Sequence, residues 1–299
     1  MNLSFGYLNI DKPRGLTSRD VVDRVEQKLD INGVGHGGTL DPLATGVLPV
    51  FLGQATKLIP YLHQRTKVYQ VTGRLDCSSE TLDSTGEVAK ISPSSSPARE
   101  DVNSVLEQFV GTINQVPPKY SAVKQGGEPV YEKARRGEDV DLDSRDVDCQ
   151  EIRCLQYDFP EIELEITCGK GFYVRSLIRD LARELGIGGG IVTELTRLKY
   201  GSLDIDRGVK PGQISRGGPG FAPPATVVDH MPRITLSGRR LEWVCNGTWI
   251  KRDTAEYGDD SEILALDSNS RIVAILRPAR EDDKAMWHPH RVFNRENVS

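Results

Sequence analysis

GVGHGGTLDPLATGVLPV, residues Gly33 to Val50, is the stretch from which this chain is best read. Gly33, Gly35, Gly37 and Gly38 open its first part to positive φ and to close approach by a large ligand. The apolar run Val47 to Leu52 follows directly and gives the loop a rigid footing. His36 and Asp41 are its only ionisable side chains, and Pro42 biases Asp41 away from helical backbone angles, so the carboxylate is displayed from an extended segment. The structural alternative is an Asx-turn in which Asp41 bonds its own backbone. A phosphate cradle fails, because no Lys-Ser/Thr pair follows Gly46 and the dinucleotide-binding glycine spacing is absent. Residue chemistry alone therefore marks a candidate site.

The 299 residues suffice for one large domain and a smaller one. The N-terminus MNLSFGYLNIDKP has no secretory pattern and no 18-residue apolar stretch occurs, so a cytoplasmic protein without membrane association is expected. The cysteines Cys77, Cys149, Cys154, Cys168 and Cys245 form no CxxC pair, which points to neither a disulfide framework nor a zinc site. The net charge of −5 argues mildly against a polyanionic partner. That average hides an asymmetry: residues 1–75 and 170–216 carry a basic excess, and residues 76–169 hold most of the acidic surplus. The basic excess coincides with the motifs, as a polyanion-binding face would require, although solvated helix faces give a similar bias.

Thr17 with Asp20 is a capping box, and Val21, Val22, Val25 and Leu29 recur at helical spacing, which predicts a helix over about Ser18 to Asp30. Ala55, Leu58, Ile59 and Leu62 mark an amphipathic helix, and Thr66 to Leu75 reads as a strand with Tyr69, Val71, Gly73 and Leu75 on one face. Residues 91–98 read as a polar linker, and the helix beyond it carries Val102, Val105, Leu106 and Phe109, with Gly111 as the expected C-cap. Ile162, Leu164 and Ile166 alternate with glutamates in a half-exposed strand. In CGKGFYVRSLIRDLARELG, Cys168 to Gly186, the core stripe Val174, Leu177, Ile178, Leu181 and Leu185 accompanies Arg175, Arg179 and Arg183, a row of cations that by pattern is a solvated face. Gly212 to Val227 is rich in Gly and Pro and is expected to link two domains.

Taken with KPRGLTS at Lys12 to Ser18, the GHGGTLDPLATGVLPV run closely resembles the signature of the TruB-type tRNA pseudouridine synthases. The resemblance extends over about Gly6 to Gly201. It implies an α+β pseudouridine synthase fold, with a mixed, largely antiparallel central sheet flanked by helices and loops, over residues 1–212. Residues 228–299 resemble the small β-rich PUA-like C-terminal module of these enzymes, or are a plain structural extension. The activity implied is isomerisation of the T-loop uridine at tRNA position 55, by a monomer that needs no metal, organic cofactor or obligatory protein partner.

The same resemblance assigns roles by position. Asp41 is the catalytic carboxylate, and Tyr69 of the Lys67-Val-Tyr69 triplet stacks on the target base. In the Gly171-Phe-Tyr173-Val-Arg175 run Tyr173 lines the base pocket and Arg175 pairs with the aspartate, and Leu195 closes the pocket. His36, by its place near Asp41 rather than by the resemblance, is expected to fill the space left by the flipped base or to hold the loop, the alternative being a satisfied structural histidine. Arg175 is expected to keep the Asp41 pKa low. Gln115 to Arg135 resembles a second signature segment, in which Lys119, Lys124 and Tyr120-Ser121 suit phosphate contacts or simply face water. The family's G-x-x-T-D-T-x-D-x-x-G run is altered here: Asp76, Ser79 and Glu80 replace three of its residues, while Thr81, Asp83 and Gly86 remain.

Overall fold

The computed structural model describes residues 5–92, 96–121, 124–125, 128–130, 133, 136, 138, 140, 142–252 and 261–293. Residues 93–95 of the expected linker, and residues 122–123, 126–127, 131–132 and 134–135 of the second signature segment, lie outside this set.

Strands β1 (Phe5–Lys12) and β3 (Thr45–Gly53) are antiparallel partners in a ten-stranded sheet. Their apolar character is nearly continuous because both faces are buried. Leu8 and Ile10 of β1, with Leu48, Val50 and Leu52 of β3, enter the core beneath the helices. Phe5, Tyr7, Val47 and Phe51 enter a second core on the opposite face, which also holds Leu264, Ile275 and Phe293 from the C-terminal part of the chain. The period-2 alternation of a strand thus welds the two halves together, with the Phe5 and Phe293 rings 5.2 Å apart.

Between β1 and β3 run helix α1 (Ser18–Leu29) and the short strand β2 (Val34–His36), which pairs with β3. Helix α1 starts at the expected Thr17 cap: Thr17 Oγ1 accepts from the Asp20 amide at 3.0 Å and the Asp20 carboxylate accepts from the Thr17 amide at 2.7 Å. The amphipathic segment after β3 forms a 3₁₀ turn (Gln54–Leu58) followed by one turn of α-helix (Ile59–Leu62).

Strand β4 (Lys67–Arg74) buries Tyr69, Val71 and Gly73, as its alternation requires. Helix α2 (Arg99–Glu107) ends at Gln108, before the expected Gly111 cap. Gly111 instead opens strand β5 (Gly111–Gln115), because the backbone is captured there by pairing with β6 (Arg145–Asp158). β7 (Glu161–Cys168), helix α3 (Val174–Glu184) and β8 (Ile191–Tyr200) complete the site-bearing half. In α3, Leu177, Ile178 and Leu181 are fully buried, each stabilising the fold by about 1.5–3 kcal/mol.

The segment from Gly212 to Val227 is tied to the large sheet rather than spanning open space. Its Phe221–Ala222 pair, β9, adds as an edge strand to β1. The main path of the sheet runs β9, β1, β3, β8, β4, β7, β6, β5, and every neighbouring pair is antiparallel except β3 and β8. In the C-terminal part, β10 (Arg233–Thr235), β11 (Ile250–Lys251), β12 (Ile263–Leu266), β13 (Ile272–Glu281) and β14 (Lys284–Val292) form a five-stranded sheet. Helix α4 (Gly238–Cys245) packs against it through Leu241 and Val244. Among the described residues no helix is long and apolar enough to cross a membrane.

Candidate active site

The loop between β2 and β3 is held from below by the KPRGLTS turn. Ser18 Oγ accepts from the Leu40 amide at 2.8 Å and lies 3.0 Å from the Leu40 carbonyl oxygen, and the Gly15 amide donates to the Pro42 carbonyl at 2.7 Å. Both chain neighbours of Asp41 are therefore fixed, which places its carboxylate without using the carboxylate as a cap. Lys12 stiffens the turn from inside: fully buried, its Nζ donates to the Pro13 carbonyl at 3.1 Å and the Leu16 carbonyl at 2.6 Å. Burial pushes this ammonium down to about 8, with the Asp41 charge as the largest opposing influence.

Arg175 reaches Asp41 from the first turn of α3, Nε to Oδ2 at 2.9 Å. The arginine side chain is 6% exposed, and its remaining nitrogens are all engaged. Nη1 donates to the Thr81 carbonyl at 2.8 Å and lies 3.6 Å from Asp83 Oδ2, while Nη2 donates to the Tyr120 carbonyl at 2.9 Å. Asp83 is itself buried and held by Thr81 Oγ1 at 2.8 Å, the Thr85 amide at 2.9 Å and Thr85 Oγ1 at 2.6 Å. The altered run after β4 thus keeps the residues that support the arginine. Asp76, where the run departs, forms a two-pronged contact with Arg74 at 2.9 and 2.8 Å instead.

Electrostatics at Asp41 differ from the expectation. Burial raises its pKa above the ordinary carboxylate range, and Arg175 opposes this without overcoming it. One guanidinium is divided between two carboxylates, and the Asp83 charge pushes Asp41 further up.

Asp41 opens into a cavity of about 490 Å³, whose lining includes every site residue expected from sequence: His36, Asp41, Tyr69, Tyr173, Arg175 and Leu195. Tyr69 comes from β4, directly across from Arg197 of β8, and Leu195 lies two residues earlier on β8. Tyr173 is positioned by Gln115, which accepts from its amide at 2.8 Å and donates to its carbonyl at 3.1 Å. His36 ends β2; its buried Nδ1 has no hydrogen-bond partner, and burial followed by the Arg197 charge lowers its pKa, which favours a neutral ring.

The arginine row on α3 divides. Arg175 is in the site, Arg179 donates to the Val116 carbonyl at 3.0 Å and pairs with Asp180, and Arg183 is exposed. Lys119 is exposed and the Lys124 side chain lies outside the described residues. Asp83, Gln115 and Arg197 are supporting residues that sequence reasoning assigned no role. The signals available were the persistence of Asp83 in a degraded motif and the place of Arg197 two residues after Leu195. Among the described residues no cluster of His, Cys, Asp or Glu is arranged to hold a metal ion.

A carboxylate, an arginine and two tyrosines around a cavity of about 490 Å³ suit chemistry on a flipped nucleotide. Residues 26–174 match the family model described as TruB family pseudouridylate synthase (N terminal domain). The chain is 38% identical over 297 residues to the tRNA pseudouridine synthase B of Dehalococcoides mccartyi, covering 96% of each. It is 40% identical over 252 residues to that of Gloeothece citriformis, covering 82% of this chain and 81% of the relative. In fold it resembles a chain of a crystallised Cbf5-Nop10-Gar1 complex, with a TM-score of 0.76, 22% identity, and coverage of 100% of this chain and 88% of that one.

Proposed function

The chain belongs to the TruB family of pseudouridylate synthases, and we propose that it isomerises the T-loop uridine at tRNA position 55 to pseudouridine. The observation that carries this is the Asp41–Arg175 pair, 2.9 Å apart in a cavity shared with Tyr69, Tyr173 and Leu195.

In this reading the uridine is extruded from the T-loop, at a cost of a few kcal/mol offset by stacking worth about 1–3 kcal/mol per base. Tyr69 and Tyr173 supply the stacking surfaces, Leu195 closes the cavity, and the neutral His36 ring takes the place left in the loop. Asp41, ionised, acts as nucleophile on the sugar or on the uracil, or as base for the C2′ proton, while the N1–C1′ bond breaks. The uracil turns within the cavity and rejoins C1′ through C5. Arg175 orients the carboxylate and lowers the cost of its charge. Asp83 holds Arg175 from behind.

The enzyme works as a monomer in the cytoplasm, without metal, cofactor or guide RNA, on the T-arm of tRNA. The test is incubation of the protein alone with an unmodified tRNA transcript, followed by carbodiimide labelling and primer extension. A single new stop immediately 3′ of position 55 is expected. Modification elsewhere, or only with added RNA or protein, would overturn the assignment.

A further inference from the structure

Arg197 is 1% exposed, and among the described residues it has no carboxylate within ion-pair distance. A buried cation without a counter-charge is costly, and here it is sustained by neutral groups. Nε donates to the Val47 carbonyl at 2.7 Å, Nη2 donates to the Gly38 carbonyl at 3.1 Å, and the guanidinium lies 5.0 Å from the centre of the Tyr200 ring. The remaining nitrogen, Nη1, faces the Tyr69 hydroxyl at 3.5 Å in the wall of the cavity. A guanidinium only donates, so Tyr69 Oη is the acceptor and its own proton is free to point at whatever fills the cavity. Burial raises the Tyr69 pKa, and Arg197 is the largest influence opposing that rise.

We propose that Arg197 is a positioning residue for the proton transfer that completes the isomerisation, acting through the Tyr69 hydroxyl. The proposal rests on the pseudouridine synthase reading of this cavity. Isomerisation takes one hydrogen from uracil C5 and places one on N1. The detached ring leaves C1′ with the N1 electron pair, and N1 takes the Tyr69 hydroxyl proton. After the C1′–C5 bond has formed, the C5 proton passes to the Tyr69 oxygen and its bonding pair returns to the ring. One proton leaves Oη and one comes back, so no oxidant, reductant or further reactant is needed. In the interval Oη carries a negative charge beside Arg197 Nη1, where the uncompensated cation stabilises it.

The experiment is single-turnover kinetics on a T-arm hairpin carrying either hydrogen or deuterium at C5 of the target uridine. Wild type is compared with Arg197→Lys and Arg197→Gln, with RNA affinity and melting temperature recorded for each. The proposal expects both variants to slow the reaction, Arg197→Gln by about 10- to 100-fold and Arg197→Lys by less, because general acid–base terms are of that order or larger. It also expects a deuterium effect larger than that of wild type and unchanged RNA affinity. A slowed reaction with an unchanged deuterium effect, or no slowing at all, would overturn it and leave Arg197 as a brace for Gly38 and Val47. If Arg197→Gln fails to fold, Arg197→Lys alone decides by the same readout. Failure of wild type to modify the hairpin would count against the functional reading instead.

Discussion

Asp41 and Asp83 approach one guanidinium from two sides, Asp41 Oδ2 at 2.9 Å from Arg175 Nε and Asp83 Oδ2 at 3.6 Å from Nη1. Only Asp41 opens to the cavity. Asp83 spends its other oxygen on three donors and is buried. In the proposed mechanism the pair divides its work: one carboxylate faces the cavity where substrate would sit and the other fixes the arginine that orients it.

Replacing Asp83 should act on turnover rather than on binding. Asp83→Asn keeps most acceptor contacts but removes the charge behind Arg175, and we expect kcat to fall by about 10- to 100-fold, the usual scale for a lost outer partner, with KM for tRNA little changed. Single-turnover rates and filter binding measure the two separately. A KM effect without a kcat effect would place Asp83 in RNA binding.

The raised Asp41 pKa fixes the sign of two pH effects. The proposed mechanism needs the carboxylate ionised, so it predicts an acid limb above the ordinary carboxylate range. Arg175 pulls that pKa down, so Arg175→Met should move the limb to higher pH and cost more activity at pH 6 than at pH 8. For stability, a carboxyl whose folded pKa exceeds its unfolded value holds its proton more tightly when folded. Stability therefore falls as pH rises from the unfolded to the folded pKa. Asp41→Asn should then melt at or above the wild-type temperature at pH 7.5 and show no such gain at acid pH. A lower melting temperature for Asp41→Asn at pH 7.5 would contradict the direction of the shift.

Ser18→Ala tests the brace under the loop. It leaves the Leu40 amide without its hydrogen-bond partner in a buried place, which costs about 1–3 kcal/mol. Urea unfolding should show that loss, and kcat should fall with it because the Asp41 backbone loosens. Full activity together with full stability would mean that the Gly15–Pro42 bond holds the loop unaided.

Gly46 is the other fixed point. It has φ of +95°, and a Cβ there would run into the Arg197 carbonyl oxygen, where β3 and β8 meet in parallel. Gly46→Ala should destabilise by at least the 1–3 kcal/mol of a strained backbone, with the clash added. An unchanged denaturation midpoint would show that the two strands can separate there without loss.

Affinity for tRNA should fall as salt rises, with a logarithmic slope close to the number of phosphates neutralised. Fluorescence anisotropy with a labelled T-arm hairpin measures it across 50–300 mM salt, about the range in which such slopes are read. A flat profile would remove the polyanion from the account.

What the sequence made legible was local. The Thr17–Asp20 box, the valines of α1 and the alternation around Tyr69 each carry their own period or cap, and they fold as read. Arg175 was ambiguous because Arg175, Arg179 and Arg183 share one spacing, and only the tertiary position of the first turn of α3 separates the buried one from the others. Gly111 resembled a cap because its capture by β6 is a long-range event. Gly212 to Val227 looked like a free linker because edge pairing of Phe221–Ala222 with β1 leaves almost no local trace. Asp83 and Arg197 left only faint traces as supports for the same reason: their partners lie far away along the chain, Arg175 for the first and the Gly38 carbonyl for the second.

The central claim is that Asp41 carries the reaction, and tritium release from a T-arm hairpin labelled at C5 of the target uracil tests it most directly. Wild-type protein, alone and without cofactor, should release tritium. Asp41→Asn should release less than about one-thousandth as much, the scale expected for loss of a residue on which the whole mechanism depends, while still binding the hairpin. Sustained release by Asp41→Asn would contradict the assignment of the carboxylate. Tight binding without release by wild type would contradict stand-alone catalysis.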